Sequence, residues 1–409
     1  MNIWKISIQN LKSKPLYTFL SILILSLSIM LLLSVQQLKI SFKNQIDSNL
    51  GKIDLVIGAK GSPLQLILAS VLHLDNPTGN ISYHEAEKIS KSSFVKLAVP
   101  ISYGDNYEKY RIIGTTKEYL SIYNAELQNG DVIKKPMEVI LGNTVAKQLN
   151  FKIGDTFLSS HGLKENDIDL HADKLTVVGI LKPTKKVIDR LIITNLESIW
   201  NVHKHEDEID EDNEIHTEHH PQKTHDLNRE ITSLLISFKS PRALLTFPRK
   251  INKETNMQAA LPKYELHKLY EYTNIGFQTI SWIAYLILLI SGMIIFISLY
   301  KMVKERAFDL ALLRTYGASN LQLIKMVIYE GITIVFFAFI IGFIFVKTAL
   351  YFIFKIVKNY YHHNILQELS FNEVLQTGGL VLIMMFLSIS LATYPIIKMN
   401  ISTILSNEK

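Results

Sequence analysis

Six histidines sit within one short acidic stretch. Residues 203–226 read HKHEDEIDEDNEIHTEHHPQKTHD and place His203, His205, His216, His219, His220 and His225 among many carboxylates. Imidazole and carboxylate ligands suit zinc, copper or nickel. Almost nothing apolar accompanies them, so composition predicts a solvated, disordered loop. Lacking a hydrophobic shell to fix geometry, such a tract would capture zinc or copper weakly and adaptably. The competing reading is a charged linker whose histidines are incidental. No HExxH pattern occurs, which leaves zinc hydrolase chemistry without its motif.

Residues 54–80, DLVIGAKGSPLQLILASVLHLDNPTGN, hold a glycine cluster around Lys60. A phosphate-binding loop needs Gly-Lys-Ser/Thr at the opening of a helix after a strand, and Gly61-Ser62-Pro63 does not supply it. The apolar part, residues 64–74, is too short to span a bilayer. It is therefore either a buried helix of a folded domain or a helix at the membrane surface or along a substrate path. Cysteine is absent, so there is no disulfide framework and no thiolate metal site, and the redox compartment stays open. With no nucleophile–base spacing in view, a membrane-anchored enzyme has no support from any motif.

The elements that carry these stretches follow from hydropathy. Of the 409 residues, 48% are hydrophobic and 20% charged, and the apolar ones gather in four long runs. The first, residues 16–35, carries no charge between Lys14 and Lys39. About twenty residues at roughly 1.5 Å each cross the ~30 Å hydrocarbon core. A cleaved signal peptide would be shorter and end in small residues, unlike residues 30–35, so an uncleaved anchor is expected. Ahead of it, Trp4, Ile8 and Leu11 share one helical face, which predicts an interfacial helix leading into Pro15.

The remaining runs give an α+β membrane protein: four transmembrane helices at 16–38, 275–300, 326–354 and 378–397, with a mixed α/β extracytoplasmic domain at 39–272 between the first two. The other segments are a cytoplasmic interfacial helix at 1–15, a cytoplasmic loop at 301–325, an external loop at 355–377 and a cytoplasmic tail at 398–409. Orientation comes from the basic residues. Lys5, Lys12 and Lys14 precede the first helix, Lys301, Lys304, Arg306, Arg314 and Lys325 separate the second and third, and Lys398 follows the fourth. Both termini should be cytoplasmic. The net charge of +6 thus reads as topology, and no nucleic-acid partner is implied. Lys347 near the outer end of the third helix is a snorkelling lysine or, less simply, part of a transport path.

Within the large domain, residues 94–102, 109–115, 137–141, 175–181 and 234–238 are strand-like runs, and 143–149 is helical in pattern. Asn150 and Gly154-Asp155 supply turn chemistry after that helix.

Residues 303–331, VKERAFDLALLRTYGASNLQLIKMVIYEG, predict a short cytoplasmic helix with Phe308, Leu312 and Thr315 on one face. Arg314 would sit in its last turn, where the macrodipole favours a cation, and Gly317 suits a left-handed stop. Ser319 and Gln322 have the spacing of a capping box for the next helix. Such a helix is either a rigid lever held outside the bilayer or an interfacial helix lying on lipid.

This stretch resembles the cytoplasmic loop of the FtsX-like permeases, which include MacB-type exporters and LolC/LolE-type lipoprotein extractors. Glu305-Arg306, Leu313-Arg314, Gly317-Ala318-Ser319 and Glu330 occupy the family's positions. Residues 138–157, EVILGNTVAKQLNFKIGDTF, with LTVVGIL at 175–181, are similar to the MacB-type periplasmic core. The tail YPIIKMNISTIL at 394–405 is similar to the family's ending, without its usual proline before the last leucine. The histidine tract and residues 58–63 depart from the best-known members and leave the substrate open.

The resemblance implies the permease subunit of an ATP-binding-cassette (ABC) complex in a bacterial inner membrane. Glu305, Arg306, Leu310, Leu313, Arg314, Gly317, Ala318 and Ser319 would meet a separate cytoplasmic ATPase. It implies ATP used only through that partner, a second permease copy, the lipid bilayer as surroundings, and a periplasmic or outer-membrane partner. Motion of the membrane helices would reshape the external domain to export or extract a substrate. The alternative within the family is a signalling protein that switches an external cell-wall hydrolase.

Overall fold

The computed structural model describes residues 3–160, 170–202, 229–361 and 371–397. Two compact units emerge: residues 1–42 with 273–409, and residues 43–272.

The unit of residues 43–272 is built on a ten-stranded sheet. Its path begins at β12 (Met257–Ala260), β1 (Leu55–Ala59), β11 (Ser233–Phe238), β3 (Val95–Tyr107) and β4 (Tyr110–Thr115). It continues through β9 (Leu191–Asn195), β6 (Glu138–Leu141), β8 (Leu170–Leu181) and β5 (Leu127–Gly130), with β7 (Thr156–Ser160) pairing β3 and β8. A separate two-stranded ladder joins β10 (Glu230–Ile231) to β2 (Ile81–Ser82). Most pairs are antiparallel, but β4 runs parallel to β9 and β6 parallel to β8. Alternating apolar residues give the sheet two cores. One joins Leu55, Ile57, Leu234 and Ile236 to Phe247 and Ile251 of the helix Ala243–Glu254. The other joins Ile112, Val139, Leu141, Val177 and Ile192 to Val145 of the helix Asn143–Leu149.

Several expectations sharpen here. The helix Asn143–Leu149 ends on Asn150 at φ +55°, as its turn chemistry requires. Residues 64–74 contribute the helix Pro63–Ser70, capped by Ser62, with Leu66 and Ile67 buried inside this domain. The run expected at 94–102 continues to Tyr107, because an irregularity between Tyr103 and Asn106 carries the ladder past Gly104 and Asp105. The run expected at 175–181 begins at Leu170.

In the other unit the N-terminal helix is Ile3–Ser13, and Lys14 interrupts it before the first long helix, Pro15–Leu50. Its buried face is Ser7 and Leu11, whereas Trp4 stays exposed with its ring edge-on to Tyr329 at 5.5 Å. The interfacial face expected from Trp4, Ile8 and Leu11 is thus rotated toward protein. The other long helices are Pro262–Glu305, Asn320–Tyr361 and Phe371–Ile397. Each outruns its apolar stretch: the hydrocarbon limits the apolar run, whereas the helix continues as long as propensity allows. Lys and Gln between positions 36 and 45 favour continuation of the first helix, which runs to Leu50. The loop expected at 355–377 is helical up to Tyr361 and again from Phe371, and the tail from residue 398 lies outside the described residues.

Small residues let these helices approach closely. The hydroxyls of Ser28 and Ser291 lie 2.6 Å apart, and Ser388 donates to the Gly292 carbonyl at 2.9 Å. A Cβ on Gly342 would come within 2.9 Å of the Ser26 carbonyl oxygen. Lys347 places its ammonium 5.6 Å from the Phe343 ring centroid, a cation–π contact.

Candidate coupling site

The segment between the second and third long helices forms one short helix, Ala307–Thr315. Its Leu310 and Ala311 are buried, and Leu310 belongs to a cluster that includes Leu11, Met302, Val303, Leu323 and Met326. Phe308 and Leu312 project to the other side, at 36% and 39% exposure, and Tyr316 prolongs that face at 81%. Spacing of four residues keeps the three on one stripe. The face expected from the sequence was Phe308, Leu312 and Thr315; Thr315 is exposed too, but Tyr316, just past the helix end, was not foreseen. Its position four residues beyond Leu312 was the available signal.

The C-terminal end of this helix and the start of the next are closed by local chemistry. Ala318 donates to the Leu313 carbonyl and Gly317 to that of Arg314, each at 3.0 Å, with Gly317 at φ +92°. That pair of bonds is a Schellman stop. Ser319 then opens the third long helix. Its hydroxyl accepts from the Gln322 amide at 3.3 Å while the Gln322 side chain accepts from the Ser319 amide at 2.8 Å, completing the capping box.

Glu305 and Arg306 face the N-terminal helix. Glu305 pairs with Lys14 and lies 3.9 Å from Lys301, whose ammonium donates to the Tyr17 hydroxyl at 2.6 Å. Arg306 donates to the Asn10 carbonyl at 3.0 Å and the Ser13 hydroxyl at 2.6 Å, and stands 3.6 Å from the Glu330 carboxylate. Asn10 donates its side-chain amide to the same carboxylate at 2.8 Å. The eight candidate residues therefore gather in one turn–helix–turn but point in different directions. Leu313 and Ala318 lean on the buried cluster, Arg314 is half-buried, and Gly317 and Ser319 are exposed.

His203, His205, His216, His219, His220 and His225 lie outside the described residues. Among the described residues, no group of three or more His, Asp or Glu side chains is arranged to hold a metal ion.

Residues 18–242 match the MacB-like periplasmic core domain, and residues 281–401 match the FtsX-like permease C-terminal region. The chain belongs to the family of permeases built on a MacB-like periplasmic core domain. Among its described residues this permease has four helices long and apolar enough to cross a membrane, and it is a multi-pass membrane protein with a MacB-like α/β domain. Permeases of this family work with ABC ATPases, generally as dimers, and are not themselves generally catalytic.

No curated protein matches the permease chain. Among solved structures, the periplasmic region of MacB from Actinobacillus actinomycetemcomitans is 10% identical with a TM-score of 0.34, covering 56% of this chain and 97% of that one. The extracellular domain of the noncanonic ABC-type transporter YknZ from Gram-positive bacteria is 12% identical with a TM-score of 0.29, covering 51% and 98%. A domain of a permease protein from Porphyromonas gingivalis is 11% identical with a TM-score of 0.27, covering 51% and 87%.

Proposed function

We propose that this permease couples ATP hydrolysis by a separate cytoplasmic subunit to motion of its extracytoplasmic domain, and thereby exports or extracts a substrate. The observation that carries the reading is the short helix Ala307–Thr315. Anchored through Leu310 and Ala311, it holds Phe308, Leu312 and Tyr316 outward as a ready docking face. A helix fixed on one side and apolar on the other can take a push from a partner without deforming. In this reading two permease copies flank two ATPases, ATP is bound by the partner, and both termini lie in the cytoplasm, as the lysine distribution supports.

The test is purification of the tagged permease from its native membrane with whatever ATPase accompanies it. Loss of one buried apolar anchor weakens an interface by about 1–2 kcal/mol or more, roughly tenfold or beyond in affinity. Leu312→Asp and Tyr316→Asp should each insert normally yet retain at most about a tenth of the ATPase by that arithmetic. Wild-type recovery of the ATPase with both variants would sink the proposal.

A further inference from the structure

The N-terminal helix Ile3–Ser13 carries no task in the reading so far, yet polar contacts bind it to the coupling segment. Ser7 is fully buried and donates to the Met326 carbonyl at 3.1 Å. Asn10 holds Glu330 with its side chain and Arg306 with its carbonyl, and Ser13 takes the other bond from the same guanidinium nitrogen. Lys14, immediately after the helix, pairs with Glu305. Those of Asn10, Ser13 and Glu330 converge on Arg306, the residue directly ahead of the docking helix.

Glu330 is 2% exposed. A buried carboxylate is expensive, and a buried ion pair adds little stability over well-fitted apolar residues, so its best-attested use is to fix one geometry. A guanidinium held by a carbonyl, a hydroxyl and a carboxylate has its planar fork pinned in orientation, which a lysine in that place would not give.

We propose that the N-terminal helix is a working part of the coupling element, with Asn10 and Glu330 as positioning residues that hold Arg306. The N-terminal helix, the docking helix and the start of the third long helix then move as one body when the ATPase closes. This rests on the permease–ATPase reading above.

The experiment uses the full permease reconstituted with the ATPase that copurifies with it. Two quantities are read, ATPase association and ATP turnover. Glu330→Ala, and independently Asn10→Ala, should keep wild-type association while turnover falls at least tenfold. Glu330→Gln keeps an acceptor for Asn10 and Arg306 and should recover most of the turnover. Since the chain has no cysteine, Ser7→Cys with Met326→Cys creates a single thiol pair. Oxidising that pair should leave turnover within twofold of the reduced form. Wild-type turnover in both alanine variants would overturn the proposal. So would association and turnover falling together, which marks a merely structural role, or turnover lost on oxidation and regained on reduction, which shows that the helices must separate. Failure of the wild-type permease to associate with any ATPase would instead sink the parent reading.

Discussion

The imidazole of His73 stands 2.7 Å from the Tyr103 hydroxyl through Nδ1, and its Nε2 lies 3.0 Å from the hydroxyl of Tyr119. Tyr103 gives its own proton to the Ala69 carbonyl, so it accepts from Nδ1–H and leaves Nε2 to accept from Tyr119. Both ring nitrogens are satisfied by a neutral imidazole.

Burial, with smaller contributions from Arg111 and Arg190, lowers the His73 pKa from 6.5 to about 3. The unfolded chain takes up the proton below pH 6.5 and the folded chain does not, so stability is lost as pH falls from 6.5 toward 3. The slope is about 1.4 kcal/mol per pH unit for one such group. Between pH 7 and pH 5 the wild-type protein should lose about 2 kcal/mol more than His73→Gln, which keeps a donor and an acceptor but does not titrate. Urea unfolding of the detergent-solubilised chain at both pH values measures this. Parallel losses in the two proteins would contradict the assignment.

Gly317 closes the helix Ala307–Thr315 at φ +92°, and beyond its chain neighbours no atom lies within 4 Å of where its Cβ would be. Gly317→Val is therefore strained by backbone conformation alone, at a cost on the order of 1–3 kcal/mol confined to this stop. The variant should insert, retain its thermal midpoint within a few degrees and lose permease-dependent ATP turnover. Leu310→Pro would behave differently. It removes the bond from the Leu310 amide to the Arg306 carbonyl and also empties a buried site, so the melting temperature should drop as well. Equal melting temperatures for the two would refute this distinction.

Gly342 and Gly276 are both glycines of long apolar helices, with opposite expectations. A Cβ on Gly342 would meet the Ser26 carbonyl at 2.9 Å and the Ile29 side chain at 3.1 Å, whereas nothing lies within 4 Å of one on Gly276. Gly342→Ala should destabilise by about 1–3 kcal/mol through overcrowding. Gly276→Ala should be neutral or stabilising by up to about 1 kcal/mol, since alanine favours the helix. Thermal aggregation midpoints in detergent give the order. A Gly276→Ala midpoint below that of Gly342→Ala would be the wrong result.

The histidine tract allows two measurements on one segment. A tag within residues 203–226 should be reached by an impermeant label in intact spheroplasts, and a tag after Lys409 should not. Replacing His203, His205, His216, His219, His220 and His225 together should abolish weak zinc or copper binding by the purified chain. A protected tract would reverse the topology; unchanged metal uptake would make the histidines incidental.

Much of the architecture was legible because its signals are local. Four apolar runs announced the long helices, and Gly317, Ser319 and Gln322 announced their own caps. What escaped depended on distant partners. β1 reads as a glycine-containing apolar stretch and becomes a strand only by pairing Leu55 with Ile236 and Val56 with Ala260, roughly two hundred positions away. The orientation of Arg306 was equally hidden: nothing near it in the chain says that Asn10 and Ser13 will receive it. Grouping Glu305 and Arg306 with the rest of the loop followed from the family resemblance, and their side-chain contacts run toward the N-terminal residues Asn10, Ser13 and Lys14.

The two outer strands of the large sheet bear on how copies of this protein can meet. β5 is four residues long, slips register against β8 between Leu127 and Asn129, and ends on Gly130 at φ +88°. β12 is also four residues long, and Pro262 follows just after it. Short, bulged or proline-flanked borders give a visiting strand too few aligned amides and carbonyls to add to. Sheet-to-sheet polymerisation is thereby discouraged at both rims. Copies that share one membrane are thus kept from joining strand to strand at these two edges.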